Sequence, residues 1–314
     1  MFRKLTFVLL ILMLVGSACG PVMTPTPTLP TFTPLPVSFS DGLGRIVALS
    51  HPAQRVVSLA PSNTEILFAV GAGAQTIGRD EFSDYPAEAK SLPSVGGSMG
   101  KYNLEQIAAL KPDLVLAAEI NTPEQVKALT DLGLTVFYLS NPKTFEDLYT
   151  NLETVATMTG HESAGSQFIA SLRARVAAVD AKIAPISSRP TVFYEIDASD
   201  PAKPYSIGPG SFANLLITRA GGANLVELAG IKDAYPQVSL EQVVSANPTI
   251  IVLGDSAWGV TAESVAQRPG WDKIAAVQNK QVFAFDDNLV SRPGPRLIDG
   301  LEALAKLFHP GVFK

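Results

Sequence analysis

The stretch "NLEQIAALKPDLVLA", Asn103 to Ala117, is written a second time as "SLEQVVSANPTIIVL", Ser239 to Leu253. Leu-Glu-Gln, a proline seven places after the glutamate and the apolar run behind it fall in register, at an offset of 136 residues. Each copy reads as a helix followed by a buried strand. Asn103 with Gln106, and Ser239 with Gln242, have the spacing of capping boxes, which puts Glu105 and Glu241 in the first turns of their helices. A second block repeats in the same order: "TEILFAVGAGAQTIG" and "ANLLITRAGGANLVE" align Leu67 with Leu216, Gly73 with Gly222 and Ala74 with Ala223, at an offset of 149. Two matched elements in one order describe two related α/β lobes with an insertion between the blocks.

The surrounding segments fit that division. "SFSDGLGRIVALS" predicts a hairpin turning at Asp41 to Gly44, and a buried strand follows at Arg55 to Leu59. "NTEILFAVGAG" predicts a helix capped by Ser62 or Asn63 and stopped by Gly71 and Gly73. "QTIG", "DLVLA", "LTVFYL", "PTVFYEI" and "TIIVLG" are short and nearly all apolar, and they alternate with helical segments. That alternation argues for parallel sheets covered on both faces. Between the lobes, Glu162 to Ile183 places Phe168, Ile169, Leu172, Val176, Val179 and Ile183 at helical spacing. Such a helix of 22 residues measures about 33 Å at 1.5 Å per residue. It would be a stiff strut, and a ligand would sit between the lobes where the strands end.

The first residues describe export. "MFRKLTFVLLILMLVGSACG" carries Arg3 and Lys4, an apolar stretch from Leu5 to Val15, and small residues before the only cysteine, Cys19. That is the layout of a secretory signal, too short to be a spanning helix. It resembles a bacterial lipoprotein signal in which Cys19 becomes the lipidated first residue, with Gly16 standing where leucine is usual. Then "PVMTPTPTLPTFTPLPVS" packs six prolines and five threonines into 18 residues without a charge. This favours an extended tether at about 3.1 Å per residue. The expected organisation is a signal over 1–18, lipidated Cys19 and a linker over 19–38, one lobe over 39–160, the bridging helix over 161–185 and the second lobe over 186–314.

Composition narrows the function classes. Hydrophobic residues at 46% and charged ones at 17% describe a globular chain, and a net charge of −5 without a basic cluster argues against nucleic-acid binding. His51, His161 and His309 stand beside predicted turns and form no metal-ligand or Ser-His-Asp pattern. "GPGSF" around Ser211 is no nucleophile elbow, and "GAGAQTIG" follows a helix instead of opening one. No catalysis, metal or cofactor is expected, and the chain is expected to be a monomer.

"RVVSLAPSNTEILFAVGAG", "EFSDYPAEAKSLPSVGG", "NLEQIAALKPDLVLA" and "PQVSLEQVVSANP" together resemble the periplasmic-binding proteins that feed ABC importers of cobalamin, haem and ferric siderophores. The likeness runs from about Arg45 to Phe308, and "SDYP" leans toward the cobalamin branch. The resemblance implies two Rossmann-like lobes bridged by one long α-helix, with the ligand cleft between them. It also implies that Glu105 and Glu241 dock onto arginines of the permease subunits. For the cleft it implies the aromatic positions Tyr85, Tyr205 and Tyr235, with Met99 where relatives often carry tryptophan and Tyr102 as a neighbouring substitute. The segment Pro61, Ser62 and Asn63, the loop of Trp258, and Asp287, Asn288 and Arg292 resemble further cleft-lining stretches. Trp271 reads as core, and Arg296 as an anchor of the terminal helix. The expected ligand is cobalamin or a related corrinoid, whose apolar faces and amides suit tyrosine, tryptophan and neutral polar groups. The alternatives are haem, with Tyr85 or Tyr205 as axial ligand, and a ferric siderophore.

Overall fold

The computed structural model describes residues 36–313; the signal and Cys19, and the linker up to residue 35, lie outside the described residues. The chain opens with β1 (Val37–Ser40) and β2 (Ile46–Leu49), an antiparallel hairpin whose turn is closed by Asp41 accepting from the backbone N–H groups of Leu43 and Arg45. Val37 and Ser38 already pair with Leu49 and Ala48, so the folded unit begins inside the stretch read as linker. Proline content falls off only at Pro36, and a strand edge needs no more than alternating backbone partners.

The first lobe then runs β3 (Val56–Ser58), α1 (Pro61–Ala69), β4 (Thr76–Gly78), α2 (Leu104–Ala109), β5 (Leu114–Ala118), α3 (Pro123–Asp131) and β6 (Val136–Leu139). Two helices follow, α4 (Phe145–Thr159) and α5 (Glu162–Ile183). The second lobe comprises β7 (Thr191–Asp197), β8 (Tyr205–Ser206), α6 (Phe212–Arg219), β9 (Ala223–Asn224), α7 (Leu225–Leu228), α8 (Leu240–Ala246), β10 (Ile250–Leu253), α9 (Ala262–Ala266), α10 (Ala275–Gln278), β11 (Val282–Ala284), α11 (Asn288–Ser291) and α12 (Leu297–Phe308).

The internal repeat is visible in the sheets. Parallel strands order as β4-β3-β5-β6 in the first lobe and as β9-β7-β10-β11 in the second, the same path traced twice. The second sheet adds β8, antiparallel to β7. Each lobe's chain crosses from one side of its first strand to the other, which makes the carboxyl edge of that strand a switch point where ligands bind.

Alternation along the strands explains why they read as continuously apolar. In β5, Leu114 and Leu116 enter one core while Val115 and Ala117 enter another. In β10, Ile250 and Val252 separate from Ile251 and Leu253 in the same way. One of these cores is common to both lobes: it takes one face of each sheet and packs it on α4, α5 and α12 through residues such as Leu152, Leu172, Val176, Leu301 and Leu304. The α5 stripe Leu172, Val176, Val179 and Ile183 is buried.

One detail of α1 departs from the sequence reading. Neither Ser62 nor Asn63 caps it; the helix begins at Pro61, whose fixed φ and missing N–H suit the first helical position, and both residues lie buried inside the first turn. This start carries Glu65 inward, where its fully buried carboxylate receives Arg296 Nη2 at 2.6 Å, Arg296 Nε at 3.0 Å and Arg292 Nη1 at 3.4 Å. Arg292 also donates to Asp84 at 2.6 Å and to the carbonyl of Phe82 at 3.3 Å. These bonds tie the segment before α12 to the first lobe. Removing the shared acceptor strands Arg296, only 12% exposed, and leaves Arg292 with Asp84 as its one carboxylate. Glu65→Ala is expected to lower the unfolding free energy by about 3–5 kcal/mol in denaturant titration. A loss below about 1 kcal/mol, typical of an exposed pair, would contradict the role given to this carboxylate.

Candidate functional site

In a parallel sheet the loops at the carboxyl edge carry the side chains that meet a ligand. In the first lobe the loop after β4 is built on a chain of buried hydroxyls. The Ser58 and Thr64 hydroxyls bond at 2.8 Å, Thr64 and Ser83 at 2.7 Å, and Ser83 donates to Asp80. Asp80 also accepts from the backbone N–H of Phe82 at 2.9 Å, and burial pushes its carboxyl up. This frame displays two half-exposed rings, Phe82 and Tyr85. The guanidinium of Arg296 lies 4.2 Å from the centre of the Tyr85 ring and supports it from behind.

Tyr102 braces the neighbouring loops. Its hydroxyl donates to the Leu59 carbonyl at 2.8 Å and accepts from Asn121 Nδ2 at 2.8 Å, and burial pushes it up to about 12. The hydroxyl is therefore spent on the scaffold, and what the residue offers is its ring. Met99 stands at 86% exposure on the turn Ser98–Gly100, with φ of 50°. Glu119 and Ile120, just past β5, are exposed on the same edge.

The second lobe builds its edge from the ends of β7, β10 and β11. Tyr205 on β8 and Tyr235 are both about half exposed. Tyr235 lines a small cavity of about 260 Å³ with Ile196, Ile207, Phe212 and Asp287. Its hydroxyl is pushed up by burial and by the charges of Asp287 and of Glu119, the latter from the first lobe. Asp287 accepts from Tyr194 at 2.9 Å, and burial pushes its carboxyl up. Asn288 donates to Asp286 at 2.9 Å. Trp258 ends the turn Gly254–Trp258 and projects at 88% exposure.

The structure thus places Tyr85, Met99, Tyr235, Trp258 and Asp287 on connecting segments, Tyr205 on β8 and Asn288 at the start of α11. Pro61 is half-buried, whereas Ser62 and Asn63 are buried, and Asn63 Nδ2 has no hydrogen-bond partner. Arg292 is occupied by Glu65 and Asp84. Phe82, Glu119 and Ile120 were not read from the sequence; Phe82 directly precedes the "SDYP" motif and was open to the same reasoning. Glu105 and Glu241 are both exposed in first turns. The Ser239 capping box is complete, while at α2 Asn103 accepts from Gln106 N. Trp271 is fully buried, as expected of core.

A larger concavity than the one beside Tyr235 lies elsewhere. About 720 Å³ opens where α1, α5 and α12 meet, lined by Phe68, Phe168, Leu172, Arg175 and one side of Tyr85 and Arg296. Its arginines are already paired, Arg175 with Asp299 and Glu302, and Arg296 with Glu65, while Glu88 at its rim has no ion pair among the described residues. The half-exposed tyrosines at the strand ends and the switch-point geometry favour the cleft as the site. Among the described residues no group of His, Cys, Asp and Glu is placed to hold a metal, and no helix is long and apolar enough to cross a membrane.

Comparison with known proteins agrees with this geometry. A family model described as periplasmic binding protein matches residues 56–289. An uncharacterized ABC transporter substrate-binding lipoprotein, YvrC of Bacillus subtilis, is 33% identical over 282 residues, covering 89% of this chain and 87% of that protein. The vitamin B12-binding protein of Vibrio cholerae is 32% identical over 260 residues, covering 82% and 90%. Among solved structures, the periplasmic vitamin B12-binding protein BtuF of Vibrio cholerae superposes with a TM-score of 0.71 at 29% identity, covering 82% of this chain and 98% of that one. The periplasmic heme-binding protein RhuT of Roseiflexus superposes with a TM-score of 0.73 at 26% identity, covering 83% and 99%. With two lobes traced on the same strand path and a family match over most of its length, the chain belongs to the periplasmic binding protein family.

Proposed function

We propose that this protein captures cobalamin or a related corrinoid outside the cytoplasm and delivers it to an ABC importer, acting as a binding protein and not as an enzyme. The observation that carries the ligand class is the state of the arginines. Arg292, which reaches the Phe82 carbonyl, and Arg296, which lies over the Tyr85 ring, are spent on Glu65 and Asp84, so they offer no free cation to an anionic iron chelate. The cleft instead presents the half-exposed rings of Tyr85, Tyr205 and Tyr235, with the neutral amide of Asn288 at its edge. Flat apolar faces with a few polar groups suit a macrocycle carrying peripheral amides. The B12-binding relatives support the same reading.

Delivery rests on Glu105 and Glu241. One exposed carboxylate stands on each lobe, in the first turn of equivalent helices, so the pair forms a two-point plug for cationic side chains of the permease. Anchoring by a lipid on Cys19, outside the described residues, is supported by the signal layout and by the lipoprotein relative.

Calorimetric titration with cyanocobalamin, haemin and a ferric siderophore tests the ligand. One-to-one binding of cyanocobalamin alone is expected. Binding of haemin or the iron chelate with no heat from cyanocobalamin would discard the corrinoid and keep the importer role. Tyr235→Ala and Tyr205→Ala should each weaken cyanocobalamin by up to about tenfold, the scale of about 0.5–1.5 kcal/mol for a stacked ring. Both rings are half exposed, so the melting temperature should hardly move. The double substitution Glu105→Ala with Glu241→Ala should leave ligand affinity intact and abolish stimulation of uptake by the cognate permease in vesicles. Loss of ligand binding in that variant would contradict the docking role.

A further inference from the structure

A buried acid pair lies beneath the second lobe's edge of the cleft and belongs to neither the ligand contacts nor the docking helices. In β7, Phe193 and Glu195 point to the same face, and after β10 Asp255 continues the side of Leu253. The Glu195 side chain is fully buried and Asp255 is 5% exposed. Arg268 grips Glu195 with two bonds, Nη1 to Oε2 at 2.6 Å and Nη2 to Oε1 at 2.8 Å, and lies 4.7 Å over the Trp271 ring. Asp255 Oδ1 has no hydrogen-bond partner in the protein. Both bonds of Arg268 are committed to Glu195 and, among the described residues, no cation is bonded to Asp255, so an ionised Asp255 would be a buried charge left uncompensated.

The elements resting on this cluster are those that display cleft residues. Asp255 belongs to the turn that ends in Trp258, and Ser256 ties the turn to the Phe285 carbonyl at 3.0 Å. The Trp271 indole donates to the Pro201 carbonyl at 3.2 Å, which holds the segment leading to Tyr205. We propose that Glu195, Asp255 and Arg268 are positioning residues for the second lobe's wall of the cleft, a proton shared between the two carboxyl groups keeping the Trp258 turn and the Tyr205 segment seated. This rests on the reading of that wall as ligand-facing.

Burial and the neighbouring Glu195 charge push the Asp255 carboxyl up to about 7, with Arg268 opposing. The other charges near it, Asp287 and Asp286, lie across Gly254 beside Tyr194, and both are acidic, so neither offsets the pair. A carboxyl whose folded-state pKa is raised contributes stability that is present at low pH. That stability is lost as pH climbs from the ordinary value of 3.8 through about 7. The seat should hold in mild acid and loosen in mild alkali.

Hydrogen–deuterium exchange of the protein, corrected for the intrinsic rate, reads this directly at about pH 5.5 and about pH 8.5, on either side of the transition. Wild-type segments 198–205 and 254–258 should lose protection about tenfold between the two, while Asp255→Asn, whose amide donates to Glu195 without titrating, should hold it at both. Arg268→Gln should lose it at both. A flat wild-type profile, or a fall that Asp255→Asn retains, overturns the proposal, and this comparison decides even if Arg268→Gln does not fold. Cyanocobalamin affinity on the same samples should fall in parallel in the wild type only. A level affinity alongside shifting protection would refute the positioning role. If cyanocobalamin binds at neither pH, the ligand reading fails while the exchange profile still judges the seat.

Discussion

A buried carboxylate shared by two arginines ties the two halves of this molecule together beside the core that they share. Glu65 leaves α1 on its hidden side and accepts both Arg292 and Arg296, which arrive from the far end of the chain just ahead of α12. Two guanidinium groups taken out of water need such a partner, because an unpaired buried charge costs several kcal/mol. The same contact seats Arg296 beneath Tyr85, so the ion pair that holds the lobes also aims an aromatic ring of the cleft. Around it the lobes share one continuous core along α4, α5 and α12. Close-packed cores shift between discrete arrangements and do not flex smoothly.

Much of the architecture is written in the sequence because it is periodic. The α5 helix declares itself through a stripe at Leu172, Val176, Val179 and Ile183 without a Gly or Pro break, and it occupies the span its spacing predicts. The duplicated strand path follows from two repeated blocks that need no long-range information. What the sequence hides is pairing. Arg292 looks like a ligand contact in a polar loop, and nothing local reveals a carboxylate 227 residues away. Tyr102 looks like a cleft aromatic, yet its hydroxyl is committed to Leu59 and Asn121. Ser62 and Asn63 resemble caps because small polar residues usually are, but Pro61 takes the first helical position and turns them inward. The acid pair Glu195 and Asp255 is equally invisible, since the two residues meet only when β7 and β10 lie side by side.

The two ends of the proposed function use different physics. At the cleft, ring faces and a few neutral polar groups supply area and orientation at low entropic cost. At the rims, Glu105 and Glu241 are solvated charges on capped helix starts, suited to steering and registering a partner rather than to tight holding. Neither set intrudes on the other: the glutamates sit on exposed helix surfaces, Tyr85 and Tyr235 on connecting segments and Tyr205 on β8.

The most direct test is a crystal structure of the protein grown with cyanocobalamin. The corrin ring is expected between the two strand-end walls, in contact with Tyr85 on one lobe and Tyr205 and Tyr235 on the other, with the Glu65 ion pairs intact and little change in lobe angle. A ligand lodged in the 720 Å³ cavity behind Tyr85, or a bound state that breaks the bonds from Arg292 and Arg296 to Glu65, would contradict it.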